Sequence, residues 1–118
     1  MYTNTLKLNN GVEIPQLGLG TWFIDDDKVA DAVKAAVEIG YRHIDTAQAY
    51  GNERGVGEGV RTCGIPREEL FVVSKVAAEH KTYEDAARSI NETLEKMGLD
   101  YLDMMIIHSP QPWVEVNQ

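Results

Sequence analysis

The chain has 118 residues, enough for one ordinary domain, and its 43% hydrophobic and 25% charged content is that of a globular protein. A net charge of -8, with no Lys or Arg cluster longer than a pair, excludes the basic patch that nucleic acid or an anionic membrane requires. One cysteine, Cys63, excludes an internal disulfide and fits a reducing cytoplasm; polar residues after Met1 and the lack of any apolar run near ~20 residues give no signal peptide or spanning helix.

Residues 5–16 hold two short alternating runs around Asn10-Gly11. Both turn residues tolerate positive φ, so a small N-terminal hairpin is expected. Leu17-Gly18-Leu19-Gly20 reads as a first buried strand ending in a glycine turn. Asp25-Asp26-Asp27 opens a helix, where acidic side chains cap free N–H groups and suit the dipole. Val29, Ala32, Val33, Ala36 and Val37 recur at helical spacing, and Gly40 stops the helix as a C′ glycine.

His43-Ile44-Asp45 is a second strand. Asn52 is placed to cap a second helix, with Val56, Val60 and Cys63 on one face and Gly64 after it. Leu70 to Val76 is a third, apolar strand interrupted by Ser74 and Lys75. Thr82 with Asp85 makes an acidic variant of the capping box. The third helix carries Ala86, Ala87, Ile90, Leu94 and Met97, and Gly98 closes it. The sequon Asn91-Glu92-Thr93 falls in this helix and reads as chance. Leu102 to His108 is a fourth strand, after which Pro110 and Pro112 break regularity.

Strands alternating with helices imply a parallel sheet. Strands apolar on both faces, the third and fourth, agree with that. An open doubly wound sheet and part of a (β/α)8 barrel both satisfy the pattern.

Three successive strands end in ionisable residues: Asp45, Lys75 and His108. Side-chain alternation puts Lys75 on one face with Val73 and Phe71, and His108 with Ile106 and Met104. If those faces line the inside of a curved sheet, the polar groups converge at its C-terminal rim, where barrel enzymes keep their catalysts. Each residue taken alone has a plainer reading: a turn aspartate, a snorkelling lysine, a hydrogen-bonded histidine, a rim tyrosine at Tyr50. Taken together they fit better as a proton-transfer set. A buried lysine needs a carboxylate, and Asp45 supplies one.

A free phenol with a pKa near ~10 is a weak acid at neutral pH, and a neighbouring ammonium lowers that value. A shift of two units corresponds to ~2.7 kcal/mol. Tyr50 would be the acid, Lys75 its neighbour, Asp45 the anchor of Lys75, and His108 the group that orients a substrate oxygen. Such a set protonates a carbonyl oxygen but supplies no hydride, so a nicotinamide has to. A Schiff-base role for Lys75 accounts for neither Tyr50 nor His108. Gly55, Gly57 and Gly59 lie within a predicted helix and lack G-x-G-x-x-G spacing, so they are no dinucleotide loop. They allow close helix packing or loosen the helix at up to ~1 kcal/mol each.

Gly40-Tyr41-Arg42-His43-Ile44-Asp45-Thr46-Ala47, followed by Glu53 and Val56-Gly57, resembles the signature of the aldo-keto reductases. The resemblance continues through Gly18-Leu19-Gly20-Thr21-Trp22, Val73-Ser74-Lys75-Val76, and Gly98-Leu99-Asp100-Tyr101-Leu102-Asp103 to Ile107-His108. It implies a (β/α)8 barrel that reduces aldehydes or ketones with NADPH, NADH being possible, and no metal. It implies a tetrad of Asp45, Tyr50, Lys75 and His108. Thr21 and Asp45 would lie at the nicotinamide end, and Trp22 and His108 at the substrate. Ser109 departs from the Trp that many members carry there. A barrel needs about 250 residues, so residues 1–118 read as the N-terminal part of one barrel domain. Alone they are expected to be inactive, since most of the cofactor site would be missing. The alternative is a non-catalytic half-barrel that binds or assembles. The parent is expected to be a cytoplasmic monomer, and the piece to self-associate or pair with a missing half.

Overall fold

The computed structural model describes residues 4–110. Strands β1 (Thr5–Lys7) and β2 (Glu13–Pro15) form the antiparallel hairpin, with Lys7 opposite Glu13. Its turn differs from a two-residue Asn-Gly turn. Leu8 N–H bonds Val12 O at 2.8 Å, Gly11 N–H bonds Leu8 O at 2.9 Å, and of the two residues Gly11 alone has positive φ, at 88°. This is the three-residue loop, with glycine in the left-handed position.

Four parallel strands follow: β3 (Leu19–Gly20), β4 (His43–Asp45), β5 (Phe71–Val76) and β6 (Met104–Ile107). They lie side by side in chain order, β3-β4-β5-β6. A doubly wound sheet reverses direction at a switch point; an unbroken sequential order is that of a barrel wall. The first strand is shorter than the sequence suggests, with Leu17 exposed and Leu19 half-buried. The fourth is an edge strand, half-buried to exposed rather than buried on both faces.

Helices α1 (Asp26–Glu38), α2 (Glu53–Thr62) and α3 (Tyr83–Met97) pack over one face of this sheet. The shared core is Val29, Val33, Val37, Ile44, Val56, Val60, Leu70, Val72 and Met97. Gly40 ends α1 at φ 114° and Gly98 ends α3 at φ 67°. Thr82 caps α3 as expected, its hydroxyl accepting Asp85 N–H at 3.1 Å. The other two caps differ. Neither Asp25 nor Asn52 caps its own helix with a side chain. The inner line of α3 also differs from the apolar stripe: Ser89, Thr93 and Met97 are its buried residues, while Ala86, Ala87, Ile90 and Leu94 are half-buried.

Strand register decides which residues share the face away from the helices. His43 pairs with Phe71, Asp45 with Val73, Val73 with Met104, and Lys75 with Ile106. His43, Asp45, Phe71, Val73, Lys75, Met104 and Ile106 therefore lie on one side, as alternation requires. His108 continues it, its N–H bonded to Val76 O at 3.0 Å. Phe71 and Val73 are not open to solvent, at 6% and 3% exposure. The His43 ring meets Phe71 edge-on at 5.2 Å, and its Nδ1 lies 3.1 Å from Pro15 O. Histidine and hairpin cover that end of the face. Ile106 stays 41% exposed. Among the described residues no helix is long and apolar enough to cross a membrane. Pro112 lies outside the described residues.

Candidate active site at the strand C-termini

Asp45 ends β4 and Lys75 lies next to the end of β5, two strands hydrogen-bonded in register. Both side chains leave the sheet on the face opposite the helices. The Lys75 side chain is 12% exposed, and its ammonium donates to the Asp45 carboxylate and, at 2.9 Å, to Thr46 O. Tyr50 closes the short 3-10 turn Gln48–Tyr50 that follows β4. Its hydroxyl lies 3.4 Å from Lys75 Nζ, and the ammonium also sits 5.1 Å from the ring centroid. The His108 ring stands edge-on to Tyr50, with centroids 5.8 Å apart and planes at 87°. The four expected residues thus meet at one rim.

The two substrate and cofactor candidates before α1 sit differently. Trp22 is 65% exposed, and its ring lies 6.5 Å from that of Tyr50. Thr21 is wholly buried, with its hydroxyl donating to Asp45 O at 3.1 Å. It bears on the rim through Asp45, not by a surface of its own. Phe23 and Ser109 are the described non-glycine residues with positive φ, at 67° and 46°. Both flank this rim, and backbone strain collects at sites that use it.

A second tier of polar side chains fixes these loops, and the sequence reading missed its roles. Asn52, 1% exposed, spends its amide on Thr21 O at 2.8 Å and Ile24 O at 2.9 Å, and accepts from the Thr46 hydroxyl at 3.1 Å. It ties the loop before α1 to the loop that carries Tyr50. Gln48 accepts Ala77 N–H at 2.8 Å and donates to Ser89 and Thr93, at 3.0 and 3.3 Å. Glu53, 3% exposed, accepts from the hydroxyls of Ser74 at 2.6 Å and Thr93 at 3.1 Å. A signal was present: Ser74 has the opposite parity to Lys75, so it points into the helix layer and needs a partner there. Glu53 at the start of α2 answers it, and Ser89 and Thr93, four apart on α3, complete the cluster by bonding Gln48 and, from Thr93, Glu53.

A family model described as the aldo/keto reductase family matches residues 16–118. Over 108 residues the chain is 48% identical to the 9,11-endoperoxide prostaglandin H2 reductase of Trypanosoma cruzi, covering 91% of this chain and 38% of that one. It is 47% identical over 108 residues to the glyoxal reductase of Bacillus subtilis, covering 91% and 39%. A Bombyx mori aldo-keto reductase crystallised in complex with NADP superposes with a TM-score of 0.84 at 37% identity, covering 92% of this chain and 38% of that one. The chain spans less than two-fifths of the length of these relatives.

Proposed function

The chain belongs to the aldo/keto reductase family, and from that membership we propose that the whole protein is an NADPH-dependent reductase of aldehydes and ketones with Tyr50 as proton donor. The observation that carries this reading is the placement of Lys75 Nζ between the Asp45 carboxylate and the Tyr50 hydroxyl at the strand C-termini. A carbonyl oxygen that gains a hydride at its carbon becomes basic, and the Tyr50 proton passes to it. The phenolate left behind is stabilised by the ammonium 3.4 Å away. The Asp45 carboxylate and Thr46 O hold that ammonium in position. His108, ring edge against Tyr50, offers a ring nitrogen to the same substrate oxygen and fixes its direction.

None of these four side chains can give up a hydride, so the set fits a site completed by a nicotinamide. Asp45, backed by Thr21, would border the nicotinamide end, and the hydride is what that cofactor supplies when bound. NADP in the Bombyx mori relative supports NADPH over NADH. The substrate is a small-molecule carbonyl, and the protein acts as a monomer in the cytoplasm.

The test is carbonyl-dependent oxidation of NADPH, and of NADH beside it, by the full-length protein and its Tyr50→Phe variant. Removing the proton donor is expected to lower kcat by roughly 10²–10⁴-fold, with NADPH affinity, read by fluorescence titration, left within a few-fold. A variant that loses cofactor binding instead, or that keeps its turnover, sinks the assignment.

A further inference from the structure

A proton donor needs a fixed place, and the direct contacts of Tyr50 do not give it one. Its hydroxyl meets Lys75 Nζ at 3.4 Å, long for a hydrogen bond, and the Trp22 and His108 rings stand 6.5 and 5.8 Å from its own. The turn Gln48–Tyr50 is closed upon itself, by Tyr50 N–H to Ala47 O at 3.1 Å and Gly51 N–H to Gln48 O at 3.5 Å. Ala49 is exposed and has no polar side chain. Gln48 is therefore the one other residue of this turn whose side chain can bond outside it.

It does so three times. Gln48 Oε1 accepts Ala77 N–H at 2.8 Å, and its Nε2 donates to Ser89 Oγ at 3.0 Å and Thr93 Oγ1 at 3.3 Å. The partners dictate which way the amide points. Ala77 N–H can only donate. The Ser89 hydroxyl is spent on Ala86 O at 2.8 Å and that of Thr93 on the Glu53 carboxylate at 3.1 Å, so both oxygens are left to accept. Ala77 comes two residues after Lys75, and Gln48 two before Tyr50. Two rungs thus join the same pair of segments: Gln48 to Ala77 at 2.8 Å, and Tyr50 to Lys75 at 3.4 Å. The tight rung is the one outside the proton-transfer set.

Resting on the reductase reading, we propose that Gln48 is a positioning residue for the proton donor: its carboxamide sets where the Tyr50 hydroxyl stands against Lys75 Nζ, acting through the turn and not on the substrate. Gln48 lines an open cleft of about 490 Å³ with Ala77, Ser89 and Thr93. Shortening it admits water to a polar wall, so Gln48→Ala is expected to fold. Gln48→Met keeps the length and loses all three bonds. The experiment follows reduction of para-nitrobenzaldehyde by NADPH with the full-length protein and both variants. Each variant should lower kcat roughly 10–10²-fold, the cost of misplacing a reacting group by up to ~1 Å. KM for the aldehyde and NADPH affinity should stay within about threefold, as for a contact that matters only in the transition state. The solvent deuterium isotope effect on kcat should rise, because proton transfer becomes the slower step. A kcat within about twofold of the parent overturns the proposal. So does a lower kcat with an unchanged isotope effect or a matching loss of NADPH affinity, and so does failure of both variants to fold, since Gln48 would then hold the cofactor or the fold at large. A parent protein that reduces no aldehyde, or a Tyr50→Phe variant that keeps its turnover, fails at the reductase reading itself.

Discussion

Asp26 opens α1, yet its carboxylate serves α2. It accepts Arg54 Nε at 2.7 Å and Gly55 N–H at 2.9 Å, and Gly55 is the third residue of α2, whose own cap Asn52 is occupied elsewhere. The Arg54 hydrogen bond is the main reason the Asp26 carboxyl is held below its ordinary value; burial opposes the shift, and the Gly55 N–H and the Arg54 charge add to it. A depressed carboxyl contributes stability above its unfolded value and loses it as pH falls through the folded one. The stability gap between the full-length protein and Asp26→Asn should therefore be open at neutral pH and close below about pH 4. Both partners are half-exposed, so the gap is small and should shrink in salt. A gap that widens toward acid would refute the pairing. Acid residues before a helix announced themselves in the sequence. Their partner did not, because a cap from a neighbouring helix depends on how closely two helices approach.

That approach is set at the scale of the element. A Cβ on Gly55 would lie 2.3 Å from Asp26 O, on Gly57 2.2 Å from Met97 O, and on Gly59 2.7 Å from Val33 Cβ. Helix α2 thus presents glycine to α1 on one side and to α3 on the other, which resolves the two sequence readings in favour of close packing. Gly57→Ala weighs the effects against each other. Alanine gains about 1 kcal/mol of helix propensity. It also drives a methyl into the backbone carbonyl that ends α3, which cannot swing aside, at a cost of 1–3 kcal/mol or more, roughly. The expected result is a net loss of up to about 2 kcal/mol in urea unfolding of the full-length protein; a more stable variant would show that the carbonyl yields to the methyl. The same contrast explains what was legible. Periodicity, glycine stops and strand parity are local, so helices, strands and the Asp45-Lys75-His108 face could be read directly. The polar staple of Gln48, Glu53, Ser74 and Thr93 was legible at one point, the parity of Ser74, but its pairing was not, because the members come from four separate segments. Asn52 was read as a local cap for the same reason: its real partners, Thr21 O and Ile24 O, are distant in sequence.

At the scale of the molecule, the sheet of residues 4–110 has two unequal ends. His43, held against the hairpin at Pro15 O, covers Phe71, and Val73 beside it is buried too, so that part is closed to solvent. The edge formed by β6 is different. Ile106 is 41% and Ile107 66% exposed, one on each face of a strand whose far side carries no described partner. Apolar edges of parallel strands offer free N–H and C=O groups with greasy flanks, and they pair with whatever strand is available. In a barrel wall the next strand occupies that place. A polypeptide of residues 1–118 by itself is therefore expected to self-associate rather than remain monomeric, and to reduce no aldehyde. Sedimentation velocity over a concentration series tests the first point. Ile107→Lys should shift the distribution toward monomer, since a charge on an edge strand blocks further pairing. A concentration-independent monomer would mean that β6 is already covered, and the exposure that makes it a docking edge would have to be abandoned.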